Sequence, residues 1–161
     1  MKFGFSYIGL IWMLLLTVPN LLWTRCKPAG YEQSAKSENR VLLTFERIGE
    51  VAVSCLALLF SDFNPHGWEI WIVWWFASLL CMVLYEIFWI RYFLSAHTMC
   101  DFYRSLLGIP VAGATLPVAA FALLAIYGKN PLLFAAVIVL GIGHIGIHLG
   151  HLHALNRSQE A

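Results

Sequence analysis

Five apolar runs, roughly residues 3–23, 41–60, 68–94, 106–127 and 131–152, take up most of this chain and leave it few ways to fold. A helix rises about 1.5 Å per residue, so about 20 apolar residues cross the hydrocarbon core of a bilayer. Each run is close to that length. Hydrophobic residues make up 60% of the sequence and charged residues 12%, against about half and about a quarter in soluble domains. The connections are short and leave no room for a sizeable extramembrane domain. These features predict an all-α integral membrane protein, a five-transmembrane-helix up-and-down bundle that forms a single polytopic membrane domain over residues 1–161 in the lipid bilayer.

The first run carries no charge after Lys2 and is broken near its end by Pro19 and Asn20. Its apolar part exceeds the h-region of a signal peptide and no small-x-small cleavage pattern follows, so a retained helix is expected. Residues 24–40 are the only long polar connection; those at 61–67, 96–105 and 128–130 are brief. With five spans, Arg25, Lys27, Lys36, Arg40, Arg47, Arg91, Arg104 and Arg157 fall on one side, and only Lys2 and Lys129 on the other. Basic flanks are retained in the cytoplasm. The expected localisation is therefore the cell membrane, multi-pass, with the amino terminus outside and both the 24–40 loop and the carboxyl terminus cytoplasmic. Trp68, Trp71, Trp74 and Trp75 would then open the third span at the outer interface, while Trp23, Trp89 and Tyr92 mark the inner one.

Several function classes drop out at this stage. No basic tract or aromatic recognition motif is present, which excludes nucleic acid as a partner. The P-loop, the dinucleotide fingerprint and the H-E-x-x-H zinc motif are absent from the sequence. Cys55 and Cys81 lie in apolar runs, and Cys26 and Cys100 fall on the expected reducing side, so all four cysteines read as filler rather than as a disulfide framework.

Ionisable residues inside the runs are the informative exceptions, because a charge at membrane depth is costly and marks a candidate functional site. Glu46, Arg47 and Glu50 open the second run; Glu46 is expected about 7 Å and Glu50 about 13 Å beyond its cytoplasmic end. Glu86 lies at a similar depth, about 7 Å, near the same end of the third run. The fifth run closes with H-I-G-I-H-L-G-H-L-H. At about 100° per residue His144, His148 and His151 share one face, whereas His153 points away. Three separate helices thus bring carboxylates or imidazoles to one inner-leaflet layer, and a common polar pocket of Glu46, Arg47, Glu50, Glu86, His144, His148 and His151 is expected. The competing reading is structural, with Arg47 paired to Glu50 at i+3 and the outermost groups reaching the headgroups.

Small residues and prolines add two further expectations. Gly143, Gly146 and Gly150 form a stripe that admits a neighbouring backbone, which suits helix packing or docking of a second membrane protein or a second copy of this chain. Pro110 and Pro117, seven residues apart in the fourth run, are expected to kink that helix by removing backbone hydrogen bonds.

The spacing H-x3-H-x2-H of His144, His148 and His151 partly resembles the histidine boxes of membrane fatty-acid hydroxylases and desaturases, whose several boxes together bind a di-iron centre. The resemblance covers about eight residues, and the further boxes and adjacent His-His pair of that pattern are missing here. A metal held by two histidines and a glutamate, or a haem on one or two of the imidazoles, is chemically compatible with the residue types. The sequence assigns neither. The resulting functional expectation is binding or transport of a proton, metal or small solute through the inner-leaflet Glu/His layer. The alternatives are a small lipid-modifying membrane enzyme with Glu or His as general acid/base, and an accessory subunit that uses the Gly-rich fifth helix.

Overall fold

The computed structural model describes residues 1–36, 38–67 and 69–160. Trp68, one of the tryptophans expected at the outer interface, lies outside the described residues. Five long helices are connected by short segments: α1 (Tyr7–Trp23), α3 (Arg40–Leu59), α4 (Val73–Phe93), α6 (Ala112–Tyr127) and α7 (Pro131–Glu160). Two five-residue helices, α2 (Tyr31–Ala35) and α5 (Met99–Tyr103), sit in the first and third connections. Among the described residues there is no β-strand, only the isolated bridges Phe3–Phe60 and Leu106–Ile109. The molecule is all-helical. Two stretches, Ile70–Phe93 and Pro131–Glu160, are long and apolar enough to cross a membrane, while α1 and α6 are apolar but shorter.

The helix starts follow local chemistry. Ser6 Oγ accepts from Gly9 N at 2.8 Å at the head of α1, and Asn39 Oδ1 accepts from Val41 N at 2.8 Å at the head of α3. Asn130 Oδ1 does the same for Leu133 N at 3.0 Å, and Pro131 occupies the first position of α7, where its missing N–H costs nothing.

Helix order alternates in direction along the chain. Ser78 bonds Ala120 while Phe88 meets Gly113, which sets α4 and α6 antiparallel; Gly49 meets Leu140 while Gly143 meets Glu46, which sets α3 and α7 antiparallel. Helix α6 has no exposed residue and forms the centre, with α4 and α7 as its principal neighbours. A buried chain of hydrogen bonds pins three helices together: Trp12 Nε1 donates to Ser78 Oγ at 2.9 Å, and Ser78 Oγ donates to the Ala120 carbonyl at 2.7 Å.

The fourth run corrects one sequence expectation. Its helix starts at Ala112 rather than near residue 106, so Pro110 precedes it and only Pro117 is inside. Residues 106–109 instead form a tight reversal, with Ile109 N donating to Leu106 O at 2.9 Å and positive φ at Leu107 (52°) and Gly108 (81°). Positive φ at both central residues is the signature of a type I′ turn. Pro110 also disfavours helical backbone at the residue before it. Val111 follows at φ 43°, a strained setting for a β-branched residue, and the helix begins immediately after it.

Candidate functional site

The close contact of α3 with α7 is what creates the site. A Cβ added at Gly143 would run into the backbone nitrogen of Glu46, and one added at Gly49 would meet the backbone of Leu140. Glycine at both places lets the two backbones touch. Gly146 packs against the Leu42 side chain, with an added Cβ 3.2 Å from Leu42 Cδ1, whereas Gly150 has nothing within 4 Å. The stripe expected to receive a partner is therefore covered over Gly143 and Gly146 by the chain's own α3.

This contact sets Glu46 against His144, with Oε1 and Nδ1 2.6 Å apart. The two side chains are 12% and 25% exposed, so the pair is mostly shielded from solvent. At that distance one proton lies between the two atoms, and an imidazole held through Nδ1–H presents its Nε2 lone pair on the far side. The next turn of α7 continues the array. The His144 and His148 rings meet edge to face with centroids 4.8 Å apart, and His148 and His151 follow at 6.1 Å.

A cavity of about 240 Å³ lies beside this array, and each of the seven helices contributes to its wall. Glu46, Glu50 and Ser54 from α3, His144 and His148 from α7, Tyr31 from α2 and Tyr103 from α5 make its polar side. Most of the remainder is aromatic or aliphatic, including Trp23, Tyr85, Phe88, Trp89, Phe102 and Phe121. A polar cluster at the side of an apolar void is the usual form of a small-molecule site.

The sequence-predicted residues divide accordingly. Glu46, Glu50, His144 and His148 line one cavity. Arg47 is directed outward: its side chain is 71% exposed and pairs with Glu50 at 3.0 Å, an exposed ion pair of small energetic consequence. Glu86 does not line the cavity, and the expectation that it joins Glu46 and His144 is corrected on that point; α4 presents Tyr85, Phe88 and Trp89 there instead. Its Oε1 is buried without a hydrogen-bond partner. His151 is buried one layer further along, outside the cavity wall, and His153 is exposed.

Three functional candidates lie in segments read from sequence as connections. Tyr103 Oη is 3.2 Å from His148 Nδ1 and 2.8 Å from His151 Nδ1, so a single hydroxyl bridges two imidazoles. Glu38 Oε1 lies 3.3 Å from His151 Nε2, and the Tyr31 ring stands edge-on to His151 at 5.7 Å. Burial first, then Glu46, holds the Glu38 carboxyl above the usual carboxylate range, with Arg47 opposing the shift. Tyr31 is pushed up to about 12 by burial and by Glu38 and Glu46. Burial, Tyr31 and Glu38 likewise raise Tyr103 far above an ordinary phenol, so both hydroxyls stay protonated through the physiological range. Thr98-x-x-Asp101, a capping box at the head of α5, was the sequence signal that could have located Tyr103 on a helix.

Among the described residues no three His, Cys, Asp or Glu side chains are grouped to hold a metal ion. The Nδ1 atoms of His144 and His148 are engaged by Glu46 and Tyr103, and the two rings meet edge to face rather than with convergent lone pairs. The donor set therefore fits proton exchange and hydrogen bonding better than metal ligation or an axial haem contact. Compared with known protein families, with characterised proteins and with solved structures, the chain matches none of them.

Proposed function

We propose that this chain is a five-span membrane protein that binds a small apolar solute carrying a hydroxyl or carbonyl head in its cavity. The Glu46–His144 pair exchanges a proton as the head is bound, and transport of the solute is the cycle such binding would serve. The observation that carries this reading is the 2.6 Å carboxylate–imidazole contact at the polar side of an otherwise largely apolar cavity of about 240 Å³. An imidazole with one nitrogen engaged and the other available can accept from, or donate to, a ligand oxygen according to its protonation state.

The membrane setting is supported by where the apolar surface lies. In the two long apolar stretches only 17% and 28% of the most apolar window is buried, whereas the core helix of a soluble protein would be mostly covered. Leu14 and Val18 on α1, Ile48 and Val51 on α3, Leu80 and Ile87 on α4, and Ile138 and Ile142 on α7 are all exposed. An apolar exterior of that extent is what lipid would cover. The bias of basic residues supports an orientation with the Glu/His end on the cytoplasmic side. Cysteine labelling in intact cells would then reach a probe at Asn64 and spare probes at Gly30 and Ser158; the opposite pattern reverses the orientation.

The binding reading is tested with 2-naphthol, a planar apolar body with one hydroxyl, followed through quenching of cavity tryptophans Trp23 and Trp89. The expected result is saturable binding that weakens about tenfold, or about 1.4 kcal/mol, in Glu46→Gln and in His144→Gln, with His153→Gln unchanged. Equal affinity in all four proteins would return the pair to a packing role.

A further inference from the structure

The hydrogen-bonded array does not stop at the cavity wall. Hydrogen bonds run from His148 through Tyr103 to His151, and His151 Nε2 stands 3.3 Å from Glu38 Oε1 in an ion-pair contact that lacks hydrogen-bond geometry; Glu38 precedes the Asn39 cap of α3 in the long polar connection. We propose that Tyr103 and His151 form a proton path joining His148 in the cavity wall to Glu38 in that connection. The cavity reading enters only in making His148 the inner end of the path.

The geometry constrains how such a path operates. A tyrosine hydroxyl carries one proton, so Tyr103 donates to one Nδ1 and accepts from the other. With Glu38 ionised, His151 keeps its proton on Nε2 toward the carboxylate, its bare Nδ1 accepts from Tyr103, and Tyr103 accepts from His148 Nδ1–H. When His148 becomes imidazolium, its Nδ1 proton passes to the Tyr103 oxygen as the Tyr103 proton passes to His151 Nδ1. His151 then hands its Nε2 proton to Glu38. His148 ends neutral, Tyr103 unchanged in charge, His151 neutral in its other tautomer, and Glu38 protonated. Every proton and charge is accounted for: His148 ends with its proton on Nε2 instead of Nδ1, so the two arrangements of the array differ in the tautomers of both His148 and His151 and in the proton on Glu38.

The surroundings suit this exchange. Tyr103 remains a neutral hydroxyl at physiological pH, and Glu38 holds its proton above the usual carboxylate range, which narrows the gap between it and an imidazole. The charged and titratable groups that face this segment are Tyr31 from α2, Glu38 from the connection, Glu46 and, beyond it, Arg47 from α3, Tyr103 from α5 and His144 from α7. The backbone of Ser34 also lies beside His151. Phe102 packs on His148 at 6.0 Å and closes an apolar flank of the path.

The test is nitrogen-15 histidine spectroscopy on the full chain in phospholipid nanodiscs, with the shifts of His148 and His151 reporting which nitrogen holds the proton. Glu38→Gln is expected to shift the tautomer balance of His148 as well as that of His151. This long-range response should be lost in a Tyr103→Phe background, while His153 stays constant throughout. His151→Gln leaves the Tyr103–His148 contact in place and must also abolish the response of His148 to Glu38→Gln, which keeps the test valid if Tyr103→Phe does not fold. A His148 signal that ignores Glu38→Gln, or that responds equally with Tyr103 replaced, overturns the path. A 2-naphthol titration of the same samples separates the two ideas. Binding by the unsubstituted chain with no response at His148 defeats the path alone, whereas a response at His148 without binding defeats the cavity reading and leaves the path standing.

Discussion

Two buried polar chains tie helices together in this bundle, and they are built from different chemistry. Between α1, α4 and α6, Trp12 donates to Ser78 and Ser78 to a backbone carbonyl; none of these groups titrates in the physiological range, and Trp12 and Ser78 are 2% and 0% exposed. Between α3, α5 and α7, the links are carboxylates, imidazoles and a phenol, and they flank a cavity. The first chain has one arrangement of its hydrogens. The second has at least two, because each imidazole and the Tyr103 hydroxyl can donate or accept. A closed array of fixed donors rigidifies, while an array of exchangeable protons beside a void can respond to a ligand.

The largest effect should come from forcing the second seam apart. Gly143→Val places side-chain atoms where the Glu46 backbone runs, so a loss of about 3 kcal/mol or outright failure to fold is expected from overpacking. Gly150→Ala meets open space and should be neutral or slightly stabilising, consistent with the helix preference of alanine. Thermal unfolding in detergent micelles measures both. Comparable damage at the two positions would break the distinction between the covered and open parts of the glycine stripe.

Ser78→Ala attacks the first seam. It strands the Trp12 indole N–H in a dry interior, with an expected cost of about 2 kcal/mol. That loss should be the same across the pH range, since nothing in the chain titrates there. A pH-dependent loss would show that the two seams are coupled and that the contrast between them is drawn too sharply.

Glu38 gives a smaller effect with a definite sign. Its carboxyl holds a proton more tightly folded than unfolded, so stability from this group is present at low pH and falls as pH rises through the raised value. Glu38→Gln should flatten the slope of stability against pH between the ordinary carboxylate value and that raised one. A chemical-denaturation series across that window reads it directly. An unchanged slope would remove Glu38 from the titrating set of the second seam.

Only the Glu/His part of this contrast is legible in the sequence; the Trp12–Ser78 seam carries no sequence signal, and the other omissions have physical causes. Depth is readable from a helical rise, which is why the sequence predicts Glu46, Glu50, His144 and His148 in one layer. Azimuth is harder. Glu86 has the right depth, but Tyr85 and Trp89 occupy the cavity side of α4 and Glu86 lies off it. Glu46 differs because Gly49, one turn away, marks the face of α3 that meets α7. Glycine inside a helix was the azimuth signal, and α4 has none. Tyr103 and Glu38 escape for another reason: they lie in connections outside the apolar runs, where helical rise and face give no placement, yet both fold back onto the buried His151. The turn at residues 106–109 was hidden by hydrophobicity, since Leu107-Gly108 looks like helix by composition and reverses the chain by backbone geometry.

The proposed function requires that Glu46 and His144, 2.6 Å apart, share a proton that a ligand can claim. The most direct measurement is a double-mutant cycle at these two positions, read as 2-naphthol affinity across about pH 5 to 8, where an imidazole titrates. The account predicts a pH-dependent affinity in the unsubstituted chain, loss of that dependence in Glu46→Gln and in His144→Gln, and a double variant no weaker than either single one. Additive losses, or a pH dependence that survives in either single variant, would contradict it.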